Sequence, residues 1–375
     1  MLVNGKALRM AGIDATTQVS GGSILVREGS PTGILIDNAI ELVRDIIPEA
    51  DTALMYAALL RAQEDCHAVG LTMVADAGLR DKEIDAVRHL QGNGRLSMRI
   101  YAMLNPDPQT LQPWLASGPS FDEQLIVRSI KMYADGALGS RGALMLEPYS
   151  DRPGEFGLEV NDVDSLRRMA ALARKHGFQL NVHCIGDAAV RRTLDVYSGF
   201  LEPGNDMRWR IEHAQVVHPD DLSRFGRLGV IPSVQATHAT SDMYWAEERL
   251  GPRISHAYAY RDLMKENGWI PNGTDFPIER IDPLLTFYAA VFRKDARGWP
   301  EGGFQPENAL SREEALRSMT VWAARSCFAE QFTGSLEAGK VADFIILDGD
   351  IITAEEKIIP SIKVAETWSG GKRVY

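Results

Sequence analysis

The sequence predicts an α/β protein: a (β/α)8 TIM-like barrel one strand short, joined to a small all-β unit. Four observations lead there. From about residue 52, segments of helical period alternate with short apolar runs, and the chain holds seven such runs. Each run is apolar throughout rather than alternating, as strands covered on both faces by crossover helices are. No G-x-G-x-x-G turn is present, which argues against a doubly wound dinucleotide-binding sheet. Several runs also close on His, Lys or Asp, and a barrel presents its reactive groups at the C-terminal ends of its strands.

The elements follow in order. The opening "MLVNGKALRMAGID" reads as helix or loop and carries no signal-peptide pattern. "TALMYAALLRAQEDCHAVG" has apolar residues at helical spacing and stops at Gly70; "LTMVADAG" follows as a strand. "DKEIDAVRHLQGNG" reads as helix and turn, "LSMRIYAML" as a strand, and "LIVRSIKMYADG" as a strand leading into a long Gly-rich loop. "VDSLRRMAALARKHG" and "AAVRRTLDVYSGF" are helices flanking the strand "FQLNVHCIGD". "RWRIEHAQ" is a strand, and "HPDDLSRFGRLG" a short helix with Pro219 in its first turn and His218 as its cap. "VIPSVQAT", the helix "ISHAYAYRDLMKENG" and "WIPNGTDFP" complete the series. Ser311 caps a further helix, and "GSLEAGKVADFIILDGDI" and "VAETWSGGKRVY" read as β-structure. The expected division is residues 1–330 as the barrel and residues 331–375 as the small all-β unit.

Composition narrows the function. A net charge of -11 argues against a nucleic-acid surface, which needs a basic face. No apolar stretch is long enough to span a bilayer. Cys66, Cys184 and Cys327 are scattered without metal spacing, so no disulfide framework is expected and a cytoplasmic location is the default. Small-molecule chemistry is left, with self-association into a homo-oligomer open.

The chemistry-bearing residues are Lys131, His183, His213 and Asp275, each at or near a strand end. Taken singly, each has a structural alternative: a core histidine, an ion-paired lysine, an aspartate capping a turn. Together they suggest a metal site, because imidazole and carboxylate suit zinc and an open position makes such a site catalytic. Lysine joins such a set only as a neutral amine converted to a carbamate. His67, His89 and His176 fall on helices and are expected to be exposed; His256 is also helical. His238, just past the sixth run in "QATHAT", is a candidate to face substrate.

The order Lys, His, His, Asp resembles the amidohydrolase superfamily of metal-dependent hydrolases. The segments "IKMYADGALGSRGALMLEPYSD", "LNVHCIGDAAV", "RIEHAQ", "SVQATHATSDMYWAEERLG" and "GTDFPIERIDPL" look like the branch that includes N-substituted formamide deformylase. The resemblance implies a carboxylated Lys131 bridging two divalent ions, zinc by preference. It makes His183 and His213 ligands of the second metal, and Asp275 a ligand of the first and the proton shuttle. Asp135 and Arg141, within the first quoted segment, join His238 as substrate-facing candidates. The implied reaction is hydrolysis of a C–N bond in an amide or N-substituted formamide. The family's first strand carries His-x-His, which this sequence lacks, and Ala236 stands where proline is usual. The resemblance therefore implies a chain without its N-terminal part: a barrel missing its first strand, residues 331–375 as the C-terminal part of a small β-sandwich, and an incomplete first metal position. The competing expectation is an inactive fragment that serves as a folded or oligomerising module.

Overall fold

The computed structural model describes residues 1–375. Its first element is the helix Gly5–Met10, begun by Asn4, whose Oδ1 accepts from the Ala7 N–H at 3.0 Å. An antiparallel hairpin follows, β1 (Gly22–Arg27) and β2 (Ser30–Asp37). Leu8, Ile13, Leu35, Ala39 and Val43 form a small apolar cluster beneath it. This hairpin was not expected from the sequence. Its two-residue turn holds Glu28 at φ 52° and Gly29 at φ 73°. Two positive φ values in succession ordinarily belong to Asn-Gly or Asp-Gly, so Glu-Gly gives a weak turn signal.

The main sheet contains β3 (Met73–Leu79), β4 (Arg99–Leu104), β5 (Ser120–Phe121), β6 (Leu125–Tyr133), β7 (Gln179–Cys184), β8 (Arg210–His213) and β9 (Ile231–Ser233). Six of these run parallel in the order β3-β4-β6-β7-β8-β9, and β5 pairs antiparallel with β6. Helices between successive strands cover the outer face, as a curled TIM-like sheet requires. Acidic caps start several of them: Asp51, Asp107 and Asp162 each accept from a backbone N–H three residues on. His218 caps its helix through Nδ1, and Ser311 forms a capping box with Glu314.

The run "WIPNGTDFP" is not a regular strand, which corrects the expectation. It joins the sheet through one parallel bridge between Val234 and Asn272. Pro271 supplies no amide hydrogen for a ladder. "VIPSVQAT" is likewise a strand only to Ser233, and helix Ala236–Asp242 begins inside it. β3 pairs with β4 alone, so the sheet stays open between β3 and Asn272. Ala75, Asp76 and Ala77 on β3 are exposed, whereas every residue of β4 is buried.

The C-terminal strands β10 (Phe344–Leu347), β11 (Val364–Ser369) and β12 (Lys372–Arg373) form a separate antiparallel sheet. It docks on the barrel through the buried Arg99–Asp343 ion pair at 2.8 Å and a hydrogen bond from Thr367 Oγ1 to the His67 carbonyl at 2.7 Å. That docking buries His67, which the sequence reading had placed on an exposed helix face. His89 is exposed as expected. No helix is long and apolar enough to cross a membrane.

Candidate metal centre

Lys131 lies on β6, two residues before Tyr133, and the register sets Tyr133 opposite His183 on β7. One strand further, Cys184 stands opposite His213 at the end of β8. Adjacent parallel strands thus bring two imidazoles together by register alone. The rings of His183 and His213 meet edge-on with centroids 4.5 Å apart. His213 and Ala214 take left-handed backbone angles (φ 74° and 43°), which turn the chain sharply just past the strand. Such strain in non-glycine residues is kept where the surroundings hold it, often at functional sites.

His238 and Asp275 arrive from the far side. His238 sits on helix Ala236–Asp242, and its ring lies 5.8 Å from that of His213. Asp275, at φ 55°, follows the Asn272 bridge and places Oδ2 3.5 Å from His238 Nε2. One donor atom each from His213, His238 and Asp275 falls within 4.8 Å of the others. The Lys131 ammonium lies over the Tyr133 ring, 4.5 Å from its centroid.

Burial dominates the electrostatics. It pushes His183 well below the ordinary histidine range, helped by the nearby His213 and Lys131. Burial takes His213 down to about 3, with the Lys131 charge adding to it, and takes His238 down to about 3 as well. All three imidazoles are therefore neutral at pH 7 and carry a free lone pair. Burial raises Asp275 to about 6 against the lowering pull of Lys131. Burial lowers Lys131 from the ordinary lysine range, opposed by the carboxylates of Glu212 and Asp275.

The donor set fits a divalent cation. His238 Nε2 is buried and has no hydrogen-bond partner, an arrangement that costs on the order of 1–3 kcal/mol unless a ligand satisfies it. His213 engages its Nδ1 with Gln235 Oε1 at 2.8 Å, which leaves Nε2 free. His183 directs Nε2 toward the Gly136 carbonyl at 3.5 Å, which leaves Nδ1 free.

Two of the substrate-facing candidates are used otherwise. The Asp135 carboxylate is 1% exposed and accepts from the backbone N–H groups of Leu144, Ile185 and Gly186. Burial raises it to about 7 against those bonds, and it braces the Gly-rich loop against the end of β7. Arg141 pairs with Asp151, which Arg249 also contacts. The sequence reading missed Gln235 and Glu212. Glu212 adjoins His213 in "IEHAQ" and pairs loosely with Arg210 at 3.5 Å, and its charge acts on Lys131.

Residues 1–375 match the amidohydrolase family over their whole length, and the chain belongs to that family. Protein LONG AFTER FAR-RED 3 of Arabidopsis thaliana is 33% identical, over 100% of this chain and 67% of its own length. The putative amidohydrolase YtcJ of Bacillus subtilis is 30% identical, over 100% of this chain and 72% of its own length. A crystal structure of an uncharacterized metal-dependent hydrolase from Pyrococcus horikoshii superposes with a TM-score of 0.79 at 32% identity, covering 95% of this chain and 71% of that one. N-substituted formamide deformylase of Arthrobacter pascens is more distant, at 24% identity over 99% of this chain and 71% of its own length. The chain is therefore nearer to YtcJ-like amidohydrolases than to the deformylase.

Proposed function

We propose that this protein is a metal-dependent hydrolase of C–N bonds in small amides or N-substituted formamides. The observation that carries the reading is the convergence of Lys131, His183, His213, His238 and Asp275 at one end of the sheet. His183 and His213 would hold one divalent ion, zinc by donor chemistry, and Asp275 would serve the other, incomplete metal position. Lys131 would join them once its neutral amine adds carbon dioxide, forming a carbamate and releasing one proton. When bound, the ion supplies Lewis acidity that acidifies water and polarises a carbonyl oxygen.

The protein groups then have distinct tasks. Asp275, with its carboxyl near 6, accepts a proton from the attacking water at neutral pH and passes it to the leaving nitrogen. The water oxygen bonds to the carbonyl carbon, the C–N bond breaks, and a carboxylic acid and an amine leave. His238 Nε2, 3.5 Å from Asp275 Oδ2, would donate a hydrogen bond to the substrate carbonyl oxygen.

The experiment measures bound metal and hydrolysis of a panel of N-substituted formamides and simple amides. His213→Ala should lose bound metal and about 100-fold or more in rate. His176→Ala, in the last turn of helix Val163–His176, should change neither. Equal losses at both positions, or a wild-type chain that takes up no divalent ion, overturn the reading.

A further inference from the structure

We propose that Gln235 is a positioning residue that locks His213 in the tautomer protonated on Nδ1, so that Nε2 presents its lone pair to the metal centre. What Nε2 faces rests on the function proposed above; the tautomer rests on hydrogen-bond geometry alone.

A neutral imidazole has two tautomers, and only one leaves a lone pair on the nitrogen that faces a cation. Gln235 Oε1 lies 2.8 Å from His213 Nδ1, and both residues are buried. An amide oxygen can only accept, so the proton of this bond must sit on Nδ1. The lone pair then falls on Nε2.

The choice depends on which way the amide of Gln235 points. Its Nε2 faces the Ser233 carbonyl at 3.5 Å, a long contact but one between a donor and an acceptor. A flipped amide would set two acceptor oxygens against each other at Ser233. It would also donate to His213 Nδ1 and thereby select the opposite tautomer, with a hydrogen aimed at the centre. The Ser233 carbonyl thus sets the amide, and the amide sets the imidazole.

The backbone of Gln235 is held as firmly as its side chain. Tyr260 Oη donates to the Gln235 carbonyl at 2.8 Å, and Tyr260 is 2% exposed. The guanidinium of the fully buried Arg293 sits over the Tyr260 ring, 5.1 Å from its centroid. A partner that orients a ligating histidine through its second nitrogen ordinarily contributes 10- to 100-fold, roughly, to metal affinity.

Two variants and one spectrum test this on the full chain. Nitrogen-15 spectra of the metal-free protein, with His213 assigned by difference against His213→Asn, should show Nδ1 protonated and Nε2 bare. Competition titration with Zn²⁺ alone should show Gln235→Leu weakened about 10- to 100-fold. Gln235→Glu keeps an acceptor and should stay within about threefold of wild type. A purely structural role would lower affinity in both variants alike and leave the tautomer unchanged. An Nε2-protonated wild type, or Gln235→Leu binding Zn²⁺ as tightly as wild type, overturns the proposal. If Gln235→Leu does not fold, the wild-type tautomer and the Gln235→Glu titration still decide it. A wild type that is Nδ1-protonated yet binds no Zn²⁺ sinks the metal reading and spares the tautomer assignment.

Discussion

His238 is the residue at which two roles compete. Its Nε2 lies among the donor atoms of His213 and Asp275, as a third ligand would. The same buried, unpartnered nitrogen would serve equally to donate a hydrogen bond to a substrate carbonyl. His183, His213 and a carboxylated Lys131 would supply three donors without it, the number a catalytic zinc site uses. His238→Asn is therefore expected to keep its metal content and to lose about 100-fold or more in kcat. Loss of metal in step with activity would instead make His238 a ligand. Lys131, His183, His213 and Asp275 stand out in the sequence because each lies at or near the end of an apolar run, where a barrel displays its side chains; of the four, His213 and Asp275 fall in one cluster with His238. Polarity alone cannot separate a carboxylate that is filled by backbone N–H groups, as Asp135 is, from one offered to a substrate. Gln235 was not legible at all, since a glutamine at a strand end has no residue-type signature.

At the scale of elements, apolar period was a good guide for runs flanked by strands on both sides and for the edge strand β3, and a poor one where prolines or the start of a helix interrupt the run. β4, β6, β7 and β8 are each flanked by strands on both sides, and their runs read correctly. "WIPNGTDFP" has one neighbour and a proline, and it reduces to a single bridge. The β1–β2 hairpin escaped notice for a different reason: its turn is chemically unfavourable. Glu28 sits at φ 52°, where a side chain without a short polar group is strained. Glu28→Asn should relieve that strain and stabilise the hairpin by roughly 0.5–1 kcal/mol. The measurement is hydrogen exchange of the β1 and β2 amides, which should slow by about two- to fivefold for that energy. Unchanged or faster exchange would show that the turn is not held in the described geometry.

For the whole molecule, the deciding feature is the sheet's open side. β3 pairs only with β4, and its residues Ala75, Asp76 and Ala77 are exposed. A row of unpaired backbone groups on a strand edge is a template for pairing with another chain. Two forces oppose each other there. The net charge of -11 keeps copies apart at long range, while the edge favours association at contact. Salt screens the first over about 10 Å at 0.1 M and leaves the hydrogen-bonding edge untouched. Self-association is therefore expected to rise with ionic strength, the reverse of what an ion-paired interface would show. Sedimentation velocity on the full chain, from low salt to about 0.3 M, would record a shift toward larger species. Placing lysines on the edge with Ala75→Lys and Ala77→Lys should suppress that shift, because a buried ammonium cannot be tolerated in a new ladder. Both positions lie outside the ligand set, so bound metal should stay at the wild-type level in the same variant. A chain that remains monomeric across the whole salt range, with or without those lysines, would show that the β3 edge is protected and that the open side is not a site of association.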